Sequence, residues 1–326
     1  ALLIANTPLF PLYQKFIHMP IQLRIGWLNI DKSLEHWVNE GLMALFFMLL
    51  ALEIKREVVA GELSSFSRII FPFFAAIGGI VAPILIYFAF IGHNASHKPG
   101  WAIPTTTDIA LVLGLLALLG KRIPINLKLF LVALSIVDDI AAIALIAFFY
   151  SHDISVISLV IAASGVLVLV MLNINGVKKI SPYMIIGIII WVAVLKSGIH
   201  ATLAGIAIGF CIPLTGNETV KSPLRKLEHA LHPWVAYLIM PFFVLINAGI
   251  PFTDEGSLSL LHPVPMGIMF GLFIGKQVGI FSFALIAVKC RLTKLPRGVN
   301  WWQIYGIAIL SGIGFTMSLF IATLAF

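Results

Sequence analysis

The sequence predicts an all-α polytopic membrane protein with a small external β-hairpin, and three observations lead there. Of its 326 residues, 60% are apolar and only 11% are charged, less than half the roughly 25% charge of soluble domains. About ten apolar stretches recur along the chain, each near the ~20 residues that a helix needs to cross a ~30 Å hydrocarbon core. Lys and Arg gather in short loops on alternate sides. A water-soluble globule is excluded, and the formal charge of +7 reads as membrane orientation rather than nucleic-acid binding.

The chain opens in an apolar fragment, Ala1 to Ala5, with no charged region before it, so no signal peptide is visible. It stops at Phe326 without a polar flank. The expectation is a partial first helix at the start and a missing helix at the end. Residues 20–32 alternate apolar and polar positions in two short runs around Gly26, the pattern of a hairpin. A lone two-stranded hairpin is marginal in water, so it is expected to lean on another surface. Two readings stand: its unpaired edges suit the same hairpin of a second copy, making a homodimer, or it is an external loop with no partner.

Membrane spans are expected at 37–54, 70–91, 101–119, 125–150, 154–172, 182–195, 197–213, 230–250, 264–288 and 303–325, as one transporter-sized domain over 1–326. With alternating spans, fifteen cationic residues share one set of loops, from Lys55 and Arg56 through Lys121, Arg122 and Lys221 to Lys294 and Arg297. The opposite set holds Lys15, Arg24, Lys32, Lys98 and Lys196. The richer set belongs in the cytoplasm. Cys211 and Cys290 lie toward that reducing side with no ligand spacing, and both read as inert.

Four charges sit deep within expected spans: Asp108, Asp138, Asp139 and Lys276. Each costs about 2.5 to 3.5 kcal/mol at a helix centre on insertion scales. One ion pair with Lys276 leaves two carboxylates over, and a desolvated carboxylate must take up a proton or attract a cation. Asp138 and Asp139 are neighbours, so on a helix their side chains diverge by ~100° and take separate roles. One is free to bind an ion while the other pairs with Lys276.

Asp108 follows Pro104 and the threonine run 105–107, a composition that invites a helix break. Carbonyls, hydroxyls and carboxylates together make an all-oxygen site for a hard cation, and the nearby lysine argues for a monovalent one. A second break is signalled by the small residues of Ser311-Gly-Ile-Gly-Phe-Thr316. Paired broken helices point to a transport site at the membrane midplane. Half-helix ends carry partial charges that Asp108 and Lys276 are suited to balance.

Five strings carry a resemblance: Ile103-Pro-Thr-Thr-Thr-Asp-Ile109, Ser135-Ile-Val-Asp-Asp139, Leu195-Lys-Ser-Gly-Ile-His-Ala-Thr-Leu-Ala-Gly205, Leu227-Glu-His-Ala-Leu-His-Pro-Trp234 and Gly312-Ile-Gly-Phe-Thr-Met317. Through them the chain resembles, nearly end to end, the NhaA-type sodium/proton antiporters of bacterial inner membranes. The resemblance implies an inverted-repeat transporter fold with two discontinuous crossing helices. It implies electrogenic exchange of Na+ or Li+ for H+ by alternating access, with no cofactor beyond the transported ions.

By matching motif, Asp139 is implied as the more direct sodium and proton binder and Asp138 as the partner of Lys276, and Thr107 and Asp108, at the first break, are expected to join them in ion and proton binding. Glu53, Arg56, Glu57 and Glu228 match a cluster associated with pH activation, and His200 another position linked to pH response. Two departures stand out: Gln277 replaces the family's proline after the lysine, and the family has further helix before Pro8 and after Phe326.

The readings from other classes are a passive cation channel, which would pass sodium without proton countermovement, and an intramembrane aspartyl protease. The protease requires a GxGD-type string, and Gly312-Ile-Gly-Phe315 lacks the acid. A transporter, and not an enzyme, is the expectation.

Overall fold

A computed structural model describes residues 1–25, 28–92, 95–120, 123–150, 155–214, 222–251 and 261–326. Gly26 at the centre of the expected hairpin, and the loop charges Lys121, Arg122 and Lys221, lie outside the described residues. The chain begins with α1 (Leu2–Ala5), α2 (Phe10–Ile17), β1 (Pro20–Ile25), β2 (Leu28–Ser33) and α3 (Leu34–His36). A π-helical turn, Trp37–Leu42, leads into α4 (Met43–Ala60). After a 3-10 turn at Glu62–Ser64 come α5 (Phe66–Ile91), a 3-10 segment (Ala95–Thr105), α6 (Ile109–Leu118) and α7 (Ile125–Phe149). Next are α8 (Val156–Ile174), α9 (Ile180–Leu195) and α10 (Thr202–Cys211). Two interrupted rods follow: α11 (Pro223–Trp234), a π turn (Val235–Ile239) and α12 (Met240–Asn247), then α13 (Pro263–Phe270), a π turn (Gly271–Gly275) and α14 (Lys276–Lys289). The chain closes with α15 (Trp301–Leu310) and α16 (Phe315–Ala325).

Among the described residues, each of the ten expected spans overlaps helix, but they are not equal. Among the described residues, six stretches are long and apolar enough to cross a membrane: Ile69–Ile91, His97–Leu118, Ile125–Phe149, Val156–Ile174, Pro223–Asn247 and Pro263–Lys289. A seventh is the pair α15 and α16, bent by 44° at its break. Three expected spans fall short for physical reasons: α4 carries Glu53, Lys55, Arg56 and Glu57 toward its end, while α9 and α10 have 16 and 10 residues.

The chain divides into two compact units. The first comprises Ala1–Arg56 and Ala147–Phe252. Its hairpin is antiparallel, with Pro20 opposite Ser33 and Leu23 opposite Ile30. The Trp37 indole N–H donates to the Ile21 carbonyl at 3.1 Å, which ties β1 to the helical rod that follows. Buried Met48, Leu52, Tyr183, Ile190 and Leu224 belong to one core cluster. Lys55 donates to the carbonyls of Phe210 at 2.7 Å and Ile212 at 2.6 Å, placing a cation where the C-terminal carbonyls of α10 have no intrahelical partner.

The second unit comprises Glu57–Ile146 and Thr253–Phe326, and it holds every deep charge named from the sequence. Its core includes Phe71, Leu131, Leu134, Ile280 and Ile304. An extended packing seam runs between α5 and the α13–α14 rod, and it is built by small residues: a Cβ on Gly78 or on Gly279 would strike the other's carbonyl oxygen. Gly275 likewise abuts the backbone of Pro83. Close backbone approach through small residues is how membrane helices gain dispersion contacts without a hydrophobic driving force, and here it brings Lys276, on the same rod, deep into the unit. Gln277 continues α14 without interruption and accepts a hydrogen bond from the Tyr305 hydroxyl at 3.0 Å.

Candidate functional site

The first helix break forms where the sequence runs out of helix formers. The 3-10 segment ends at Thr105, residues 106–108 are non-helical, and α6 starts at Ile109 with Asp108 as its N-cap. The Asp108 carboxylate accepts from the backbone N–H of Leu111 at 3.1 Å. In the second break, residues 311–314 separate α15 from α16. The start of α15 is itself fixed by a reciprocal capping box between Asn300 and Gln303, so the rod enters the break in a defined direction.

The two breaks meet. The Asp108 N–H donates to the Ile313 carbonyl at 2.7 Å. Its carboxylate also accepts from the Thr316 backbone N–H at 3.1 Å and from the Thr316 hydroxyl at 2.6 Å. One carboxylate therefore answers the positive N-terminal ends of both α6 and α16, an arrangement that favours a negative charge at each end. Thr106 and Ser318 share a hydrogen bond of 2.9 Å, and Ser318 donates to the Ile103 carbonyl at 2.9 Å. These bonds satisfy hydroxyls and backbone groups that a break would otherwise leave bare in the bilayer.

Beside the crossing, Lys276 donates to Asp138 Oδ2 at 2.6 Å, and neither side chain is exposed. Lys276 also donates to Thr107 Oγ1 at 3.1 Å. The Thr107 hydroxyl lies 2.7 Å from Asp138 Oδ2 and 3.0 Å from the Ser311 carbonyl, and its single proton serves one of the two at a time. The bonds of Lys276 thus run to Asp138 and Thr107, and the Ser311 carbonyl at the end of α15 is reached by Thr107. Asp138 Oδ1 and Ser135 Oγ are buried and make no hydrogen bond among the described residues. Ser135 lies three residues before Asp138 on α7, hence on the same face. Asp139 is buried at 3% exposure.

The remaining residues named from the sequence lie elsewhere. Glu53, Arg56 and Glu57 occupy the last turns of α4. Arg56 Nε donates to both Glu228 oxygens, at 3.1 and 3.2 Å. His200 is not part of that cluster. Its Nδ1 lies 3.0 Å from Glu40 Oε1 and its Nε2 2.7 Å from the Tyr150 carbonyl, so both ring nitrogens face acceptors. Glu40 Oε2 accepts from the Ala201 N–H in turn. Glu40 is absent from the four deep charges named from the sequence, although it is an acid inside the expected span 37–54. Ser135 and Thr316 carry no sequence signal of their own, since a membrane serine or threonine is more often packing than site.

Among the described residues, no three His, Cys, Asp or Glu side chains converge as a metal cage. A cation bound at Asp138 and Asp139 would take its other ligands from hydroxyls and carbonyls, as hard cations do.

Removing one partner of a buried ion pair leaves an uncompensated charge. Lys276→Met is therefore expected to destabilise the purified protein by about 3 to 5 kcal/mol, and the double variant Lys276→Met, Asp138→Leu to recover most of that loss. Thermal and denaturant unfolding in detergent measures both. Equal destabilisation by single and double variants would contradict a coupled pair.

Comparison with known proteins identifies the family. The family model described as "Na+/H+ antiporter 1" matches residues 1–326. A Pseudomonas putida (strain KT2440) protein named Na(+)/H(+) antiporter NhaA 1 is 56% identical over all 326 residues, which cover 82% of its own length. Na(+)/H(+) antiporter NhaA 2 of Shewanella denitrificans is 53% identical, with 82% of its length covered. NhaA of Shewanella amazonensis is 54% identical, with 83% covered. The chain, matched from its first residue to its last, belongs to the Na+/H+ antiporter 1 family.

Proposed function

We propose that this protein exchanges Na+ or Li+ for H+ across the bacterial inner membrane, electrogenically and by alternating access at the Asp138/Asp139 site. The observation that carries the reading is the buried carboxylate of Asp138. One oxygen is held by Lys276 and Thr107 while the other makes no bond among the described residues, next to a second buried acid, Asp139. Such a pair in low dielectric holds a proton or an alkali cation, and charge repulsion disfavours both at once. When the site faces the cytoplasm, sodium displaces protons from Asp139 and Asp138. When it faces outward, protons displace sodium. The inward proton gradient then drives sodium out.

Asp108 has a different part. Both its oxygens are taken by donors at the crossing, so it compensates helix ends and holds the break open, leaving cargo to Asp138, Asp139 and the Thr107 hydroxyl. Lys276 supplies the compensating charge for Asp138 between cargo events. Glu53, Arg56, Glu57, Glu228 and His200 set the pH response, supported by the Arg56–Glu228 and His200–Glu40 contacts.

The 20–32 hairpin joins two copies through its exposed edges. Disulfide trapping of a Gln22→Cys variant in native membranes is expected to give a dimer, and exclusively monomeric product would remove the hairpin from the interface.

Everted vesicles test the transport reading. Sodium-induced proton release is expected to vanish in Asp139→Asn, and Glu228→Gln is expected to shift the pH of half-maximal activity while retaining exchange. Normal exchange in Asp139→Asn would remove Asp139 from the binding site, and an unchanged pH profile in Glu228→Gln would remove Glu228 from pH control.

A further inference from the structure

We infer that the second unit carries a separate binding site for the anionic headgroup of a phospholipid, at the end of α5 and α7 assigned to the cytoplasm. A cavity of about 730 Å³ opens there, within the ~300 to 1,000 Å³ of small-molecule sites. Its mouth is cationic, with Lys294 and Arg297 beside Asn126, and its walls are apolar, with Phe71, Pro72, Leu129 and Phe130. No acid lines it. Neither Lys294 nor Arg297 has an acidic partner among the described residues.

The mouth is a built feature of the fold. Asn126 donates to the Arg297 carbonyl at 2.7 Å, which pins the 294–297 segment against the first turn of α7. From Asn126 at the rim to Ala133 in the wall, α7 descends by roughly 10 Å at 1.5 Å per residue. That depth receives a headgroup and the first methylenes of its chains.

Charge and polarity choose the occupant. Two cations with no acid repel sodium, so the cavity is unsuited to serve as a second ion entrance. They attract phosphate, and Arg binds it bidentately. The apolar walls favour an amphiphile over a free ion. Phe73 and Ile125, each next in sequence to a lining residue, are 45% and 66% exposed, so the rim presents apolar surface to lipid. The positive-inside distribution puts this end at the leaflet whose anionic lipids attract clustered Lys and Arg. Ala133 stands two residues before Ser135 and five before Asp138, so an occupant braces α7 just above the ion site.

The test uses the full chain in detergent, titrated with phosphatidylglycerol, with phosphatidylcholine and with inorganic phosphate, read by native mass spectrometry and thermal unfolding. Phosphatidylglycerol is expected to stay bound and raise the melting temperature, and the other two to do neither. Lys294→Gln with Arg297→Gln is expected to weaken phosphatidylglycerol retention at least tenfold while still exchanging sodium for protons in phosphatidylcholine vesicles. The pair Lys178→Gln, Lys179→Gln, on the same assigned side but in the other unit, is expected to retain it. Undiminished retention in the 294/297 variant overturns the site. An equal melting shift with inorganic phosphate overturns a lipid as its occupant, and equal retention of phosphatidylcholine overturns headgroup charge as its basis.

Discussion

The contact between Lys276 and Asp138, 2.6 Å long and closed to solvent on both sides, governs the design of the second unit. Two charges taken out of water cost several kcal/mol each, and their attraction repays this only when further hydrogen bonds satisfy what remains. Thr107 supplies one such bond to each partner. Among the described residues the arrangement leaves Asp138 Oδ1 without a partner, which as a purely structural solution would be poor. Under the proposed exchange, in which the site accepts a proton or a cation and then releases it, the same feature is a requirement.

Everything nearby serves to bring those groups together without exposing bare backbone to lipid. Thr107 reaches Lys276 and Asp138 because the chain is non-helical there, and that segment is tolerable in a membrane because the second break lies against it. Asp108 satisfies donors from two helix starts with one side chain, so neither break stands without the other. Lys276 arrives through the glycine seam along α5, where a single added methyl at Gly279 would meet the backbone of Gly78. The ion pair, the crossing and the seam are three parts of one constraint.

Much of this was legible in the sequence because a bilayer penalises charge and irregular backbone so heavily. Asp108, Asp138, Asp139 and Lys276 stand out by their cost, and Pro104 with three threonines and Gly312 with Gly314 mark breaks by their chemistry. What was not legible depends on partners distant in sequence. Glu40 sits in an apolar run and acquires meaning only from His200 and the Ala201 N–H, 160 and 161 residues away. The clasp of Thr316 on Asp108 spans 208 positions. Span lengths were also overestimated in uniformity: hydropathy does not separate a full-length helix from the 10 residues of α10, or show that charges shorten the apolar part of α4. The π turn before Lys276 leaves no sequence signal beyond its glycines.

The central claim is that proton and alkali cation compete for the same buried carboxylates. Calorimetric titration of sodium into the purified protein over a series of pH values tests it most directly. The account predicts that the apparent affinity weakens as the pH falls, by up to about tenfold per unit for each proton displaced, with protons released into the buffer on binding. An affinity that stays constant across the series, with no proton release, would contradict it.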